Sequence, residues 1–289
     1  MTWFWLSLLT ALATESQDAW IKRYFSALTS YEMTAFPILY SIPFFTAFLP
    51  FVRVPPLDTV FFGCVIAALP INAIAVVLYM KAIKISPLSL TIPYLAFTPA
   101  FMILSGGLIL GETPNQWGAL GIIITCAGGY VLNLSDSRGG ILEPFAAVFR
   151  ETGSWIMLIV AFLFSFAAVI GKLGIERSSP MFFTVSCFLM FSVVMMCLLV
   201  GTGRVRPFVL REHMIKGLVA GGILFVHAIL HGFAISMAKA AYMIAIKRLS
   251  ILFSVLFGGI LFDEKAIRIR FGGAVLVVCG AAIVVLKGT

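Results

Sequence analysis

The residues of this sequence that could do chemistry are ionisable side chains set inside long apolar runs, where each is costly and is a functional candidate by default. Lys247 and Arg248 stand side by side in AYMIAIKRLSILFSVLFGGILF. A lysine supplies a mobile point charge and an arginine a planar two-pronged donor, a pair suited to phosphate, sulfonate or carboxylate. On a continuous helix adjacent positions point about 100° apart, so two other readings stand beside anion binding: pairing with Glu15 or Asp18, and snorkelling to the membrane surface. Glu15, Asp18 and Lys22 recur at i, i+3 and i+7, which at about 100° per residue keeps them within about 60° of one another on one helix face. Two carboxylates beside a lysine could bind a cation or exchange a proton coupled to substrate binding. Alternatively, Asp18 and Lys22 neutralise each other near the helix end, while Glu15 has no basic residue at i+3 or i+4. His227 and His231 lie one turn apart in FVHAILHGF. That spacing fits two metal ligands, but the Glu of HExxH is absent and no third ligand is evident. No metal or cofactor is therefore assigned, and the pair is read as neutral imidazoles lining a cavity. Lys172 lies 150 residues after Lys22 and is its candidate counterpart; Tyr79, Tyr94 and Asn72 complete the expected substrate contacts.

These side chains must be held by elements that suit lipid. Of the 289 residues, 61% are hydrophobic and 11% charged, with a mean hydropathy of +1.09, too few charges to cover a water-soluble globule. Ten apolar runs are expected to span the membrane, at 2 to 21, 33 to 51, 59 to 80, 87 to 110, 116 to 134, 154 to 173, 180 to 200, 215 to 237, 240 to 262 and 269 to 287. The runs are continuous rather than alternating with period two, which excludes a β-barrel and gives an all-α polytopic membrane protein. Having neither a basic leading region nor a cleavage site behind it, the first span reads as a retained helix. The five cysteines lack CxxC spacing and read as packing residues. No GxSxG, HExxH or Walker motif is present, and the net charge of +8 is scattered over the connections, so neither a hydrolase, a primary pump nor nucleic-acid binding is supported.

Internal repetition organises the chain. A shift of 152 residues lays Gly106-Gly107 on Gly258-Gly259, Glu112 on Glu264, Gly121 on Gly273 and Gly128 on Gly280; it also carries Ala68 to Ala220, Ala82 to Ala234 and Ile83 to Ile235. Two five-span repeats follow, at 1–134 and 154–289, joined by a linker at 135–153 whose stretch Ile141 to Arg150 reads as a surface-lying amphipathic helix. Because five is odd, the second repeat must enter from the opposite side, the inverted arrangement of many secondary transporters, with a substrate site near the midplane. Pro37, Pro43, Pro70, Pro93 and Pro99 fall in spans 2 to 4 with no equivalents in the second repeat, which makes the first half the one expected to bend. Gly107 with Gly111, and Gly217 with Gly221, are GxxxG pairs for close helix contact, within the chain or across a dimer.

The stretch from Tyr79 to Leu134, with its Gly-Gly and acidic turn before the last span, resembles the EamA repeat of the drug/metabolite transporter superfamily, and Ala234 to Leu286 resembles its partner copy. The resemblance implies a secondary transporter of ten helices. It leaves the substrate open among amino acids, sugars, nucleotide-sugars, organophosphates and drugs. Within that superfamily, the Lys247-Arg248 pair is similar to the phosphate-binding pair in the ninth helix of plastid organophosphate translocators. Family habit places both termini in the cytoplasm. The basic residues instead favour the odd-numbered connections by thirteen to five, the five being Arg53, Lys172, Arg177, Lys239 and Lys287, which puts the termini outside. The expected function is alternating-access transport of a small anionic or zwitterionic metabolite across the inner cell membrane, with a proton or counter-substrate, by a monomer or homodimer. A flippase for a lipid or lipid-linked sugar is the nearer rival, and a membrane-embedded enzyme the more distant one.

Overall fold

The computed structural model describes residues 2–134, 151–262 and 267–288, and every element among them is helical. In the first half, α1 (Thr2–Phe25), α2 (Ser30–Phe48) with a 3-10 turn (Leu49–Phe51), and α3 (Thr59–Ile85) precede a broken region. That region consists of α4 (Leu88–Thr91), a 3-10 stretch (Ile92–Phe97) and α5 (Thr98–Ile109), after which α6 (Gln116–Leu134) ends the half. The second half contains α7 (Thr152–Glu176), α8 (Pro180–Gly201), the short α9 (Pro207–Glu212) and α10 (Met214–Ser236). It ends with α11 (Ala240–Lys247), α12 (Ser250–Phe262) and α13 (Ile267–Lys287). Helix starts follow the capping chemistry of the sequence. Thr29 and Glu32 form a capping box at α2, Asp58 accepts from the Phe61 amide at 2.8 Å, and Ser179 accepts from Phe182 at 3.2 Å.

Among the described residues, six helical segments are long and apolar enough to cross a membrane: Ser30–Phe51, Thr59–Ile85, Ile92–Ile109, Thr152–Glu176, Pro180–Gly201 and Met214–Ser236. Gln116–Leu132 and Gly272–Lys287 are shorter apolar helices. The first expected span is helical but carries Glu15, Asp18, Lys22 and Arg23, and the ninth is divided. Several helices outrun their apolar stretches; α3 continues to Ile85 through Lys81 and Lys84, because lysines at a span end keep their heads in water without unwinding the backbone. α1 shows the inside-out logic of a lipid-facing helix. Its buried face holds Ser7, Thr10, Glu15, Gln17 and Asp18, while Trp5, Leu9 and Leu12 lie exposed.

The halves interlock according to the repeat. α3 packs along α7 and, by the same shift, α10 packs along α1; α5 meets α7 as α12 meets α1. The most extensive pairing is α6 with α13, and the repeated glycines make it possible. A Cβ on Gly121 would lie 2.7 Å from the Gly280 carbonyl oxygen, and one on Gly128 would lie 2.8 Å from that of Gly273. The crosswise pairing of 121 with 280 and 128 with 273 brings two equivalent helices together antiparallel, with backbones in contact. Gly217 and Gly221 likewise seat α10 against Tyr40 of α2. The other expected GxxxG pair is not a packing seam among the described residues. Nothing lies within 4 Å of a Cβ at Gly107 or Gly111, and Gly111, with φ +67°, serves the turn after α5.

Helix breaks do not follow the prolines alone. Pro93 and Pro99 do accompany the break at Ile92–Phe97, but the second half breaks at Arg248-Leu249 without any proline. Under the 152-residue shift Ala96 corresponds to Arg248, so the two breaks are equivalent. The second is carried by short-range bonds, Leu249 N to Ile246 O at 2.9 Å and Ile251 N to Arg248 O at 3.0 Å, which tighten the backbone locally into 3-10 turns. The proposed surface helix at Ile141 to Arg150 and the acidic partner Glu264 lie outside the described residues.

The glycine staple gives a direct expectation. Gly128→Ala should lower the melting temperature of detergent-purified protein by several degrees, since overpacking costs about 1–3 kcal/mol. Gly107→Ala should leave it unchanged. Equal tolerance at the two positions would show that the α6–α13 contact does not depend on its glycines.

Candidate functional site

Between the halves lies a cavity of about 260 Å³. Its wall is built from α1, α2, α3, the first-half break, α7, α8, α10 and α11. Lining residues reach Val65, Ile175, Phe183 and Ile235, all near the end of the bundle that holds both chain termini. The opposite end is tied across the halves by Arg206 Nε to Glu32 at 2.7 Å, the Tyr40 hydroxyl to the Leu210 carbonyl at 2.8 Å, and Trp20 Nε1 to the Lys216 carbonyl at 3.0 Å.

Asp18, Tyr79, His227, Lys247 and Arg248 form one polar cluster on this wall. The Tyr79 hydroxyl donates to Asp18, which lies within electrostatic reach of Lys247. Lys247 Nζ is 2.9 Å from His227 Nε2. When Lys247 is an ammonium it only donates, and in that state the ring nitrogen accepts and the imidazole proton resides on Nδ1. His231 follows one turn later, its ring centroid 5.8 Å from that of His227. The helix break resolves the angular problem of the Lys-Arg pair. α11 ends at Lys247, and Arg248 takes a capping conformation at φ −68°, ψ −7°, so both side chains line one cavity. Their charges also sit at the negative end of the α11 dipole.

Three buried polar atoms on this wall, Thr98 Oγ1, His231 Nδ1 and Arg248 Nε, have no hydrogen-bond partner among the described residues. Arg248 is only 4% exposed. A buried donor left unmade costs about 1–3 kcal/mol, more when charged, which marks these atoms as places for a polar guest.

The other expected site residues divide. Asn72 lines the cavity while donating to the Ala68 carbonyl at 2.8 Å. Asp18, rather than Glu15, reaches the wall; Glu15 is fully buried on the same face of α1. Lys22 does not line the cavity and donates to the Ser86 carbonyl at 2.8 Å, while Asp18 takes the Tyr79 hydroxyl. Tyr94 is buried in the core, off the cavity wall. Lys172 touches the cavity but is engaged in an ion pair with Glu112 and a 2.6 Å bond to the Ala238 carbonyl. Glu112 also accepts from the Ala240 amide at 2.8 Å. Ser86 corresponds to Ala238 under the repeat, so Lys22 and Lys172 perform the same task at opposite ends: each ties its helix to the chain entering a broken region.

Sequence reasoning passed over Thr98 and Glu112. The repeat carried a signal for the first, since Thr98 and Ser250 correspond and each begins the half-helix after its break. It also passed over the aromatic wall of Phe164, Phe183, Phe188 and Phe191.

A model of the EamA-like transporter family matches residues 1–134 and residues 151–286. No curated protein matches the sequence. A solved structure described as "Crystal structure of protein" is 15% identical, with a TM-score of 0.68 over 99% of this chain and 95% of its own, a likeness of fold.

The role of Lys172 as a tie can be read in a double-mutant cycle. Glu112→Gln and Lys172→Met should each lower the melting temperature, and the double variant should be no less stable than the worse single one, because the penalty of a lone buried charge disappears. Strictly additive losses would contradict the coupling.

Proposed function

The chain belongs to the EamA-like transporter family, and from that premise we propose that it moves a small anionic or zwitterionic metabolite across the inner cell membrane. Transport proceeds by alternating access through ten spans arranged as two inverted five-helix halves, with repeats at 1–134 and 154–289. One observation carries the anionic reading: Lys247 and Arg248 both line the cavity between the halves at a helix break, with Arg248 Nε unpartnered. Half-helices meeting near the midplane are a recurring way to bind charged substrate groups. An entering anion takes up the free guanidinium donor and draws Lys247 from His227. Asp18 then loses the attraction of Lys247 and accepts a proton, which couples substrate to proton movement. Lys22, Lys172 and Tyr94 position the framework, while Asn72, His231 and Thr98 offer hydrogen bonds to the substrate.

Purified protein should be stabilised by phosphorylated metabolites or carboxylates in a thermal-shift panel, by about 2.7 kcal/mol at a hundredfold excess over Kd. The shift should vanish in Lys247→Ala/Arg248→Ala and in the milder Lys247→Gln/Arg248→Gln. Stabilisation by amines alone, or anion shifts that persist in both variants, would reduce the pair to structure. In proteoliposomes, Asp18→Asn should abolish accumulation driven by a proton gradient while leaving substrate exchange intact. Uphill uptake surviving that change removes Asp18 from the coupling step.

A further inference from the structure

The two-fold relation between the halves fails at one seam. α2 fits closely against α10 because Gly217 and Gly221 admit Tyr40; a Cβ at Gly221 would meet the Tyr40 carbonyl carbon at 2.2 Å. The equivalent seam joins α8 to α3, and there the shift of 152 residues replaces the two glycines by Val65 and Leu69. With side chains where the other seam has none, α3 and α8 touch only sparsely. An apolar slot of about 210 Å³ opens between them, lined by Leu69, Pro70 and Ala73 of α3 and by Phe191, Val194 and Met195 of α8. Val194 is 39% exposed on the lipid-facing surface. Leu69 and Phe191 line both the slot and the main cavity, so the two spaces adjoin at these side chains.

Along α3 the cavity wall runs from Leu69 through Asn72 and Val76 to Tyr79 at i+3 and i+4 spacing. The ten helical rises from Leu69 to Tyr79 span about 15 Å, the reach of a medium-length alkyl or aromatic body. The slot end offers no hydrogen-bonding side chain, whereas the far end presents Lys247 and Arg248. A wholly hydrophilic anion would leave the apolar stretches of these walls unmatched. We infer that the substrate is an amphiphilic organic anion, and that it loads from the bilayer through the α3–α8 slot, headgroup leading toward Lys247 and Arg248. This inference rests on the anion-site reading above and adds both the apolar body and the lateral path.

Alkanesulfonates test it, since they stay ionised at every working pH. Kd for methane-, butane- and octanesulfonate would be measured on the full chain in nanodiscs, and uptake rates in proteoliposomes, for wild type, Ala73→Phe, Val194→Trp and Lys247→Ala/Arg248→Ala, with melting curves confirming folded protein. Affinity should rise with chain length, by up to about fourfold per buried methylene. Each slot variant should slow octanesulfonate uptake at least tenfold and leave methanesulfonate uptake unchanged. Binding that requires Lys247 and Arg248 but ignores chain length would overturn the amphiphile while sparing the anion site. Chain-length dependence without sensitivity to the slot variants would overturn lateral loading. Sulfonate binding unaffected in the double variant would instead overturn the anion site itself.

Discussion

The 2.9 Å contact between Lys247 and His227 sits where the ninth helical region breaks, beside the Tyr79–Asp18 hydrogen bond. Charges taken out of water cost several kcal/mol each, and in a bundle of apolar helices only neighbouring side chains and backbone can repay that cost. Much of the interior follows from this constraint. α1 turns its polar face inward and gives its apolar face to lipid; Tyr79 shares its hydroxyl with Asp18; α11 stops at Lys247 so that its carbonyl end lies beside the charges. Arg248 remains incompletely satisfied at Nε, and that residual demand is what a substrate can meet.

Around this centre the bundle combines a rigid pairing with freer ones. Helices α6 and α13 meet backbone to backbone at the repeated glycines, a contact that allows little sliding. The lysine ties are different in kind. Lys22 and Lys172 hold the chain entering each broken region through hydrogen bonds to carbonyls, with Glu112 added beside Lys172. Bonds of this type can be exchanged during a conformational change without dismantling a packed core. The divergence between the α2–α10 and α3–α8 seams shows how two nearly equivalent halves acquire different roles through a few side-chain volumes.

Much of this organisation was legible in the sequence because membrane burial imposes strong, local rules. Long apolar runs located the helices, and Gly121, Gly128, Gly273 and Gly280 disclosed the repeat; that the same glycines join two helices emerged only from the structure. Lys247 and Arg248 stood out because charge in an apolar run is rare. The break that lets them share a cavity was not legible, since no proline marks it and it depends on bonds formed only in the packed structure. That Asp18 and not Glu15 lines the cavity depends on helix rotation against α3, which periodicity alone does not fix. Lys172 does touch the cavity, but its ion pair was not legible, because its partner, Glu112, comes from a connection sixty residues earlier in the chain. The slot was hidden for a similar reason: Val65 and Leu69 are ordinary span residues until compared with the glycines at their equivalent positions.

The most direct measurement is the anomalous signal of selenate, a tetrahedral anion, soaked into crystals of the full chain. The central claim requires a peak in the cavity between halves, within hydrogen-bond reach of both Lys247 Nζ and the Arg248 guanidinium, with Lys247 drawn away from His227. Cavity density lacking selenium, with the Lys247–His227 contact intact and selenate bound only at surface lysines, would contradict it.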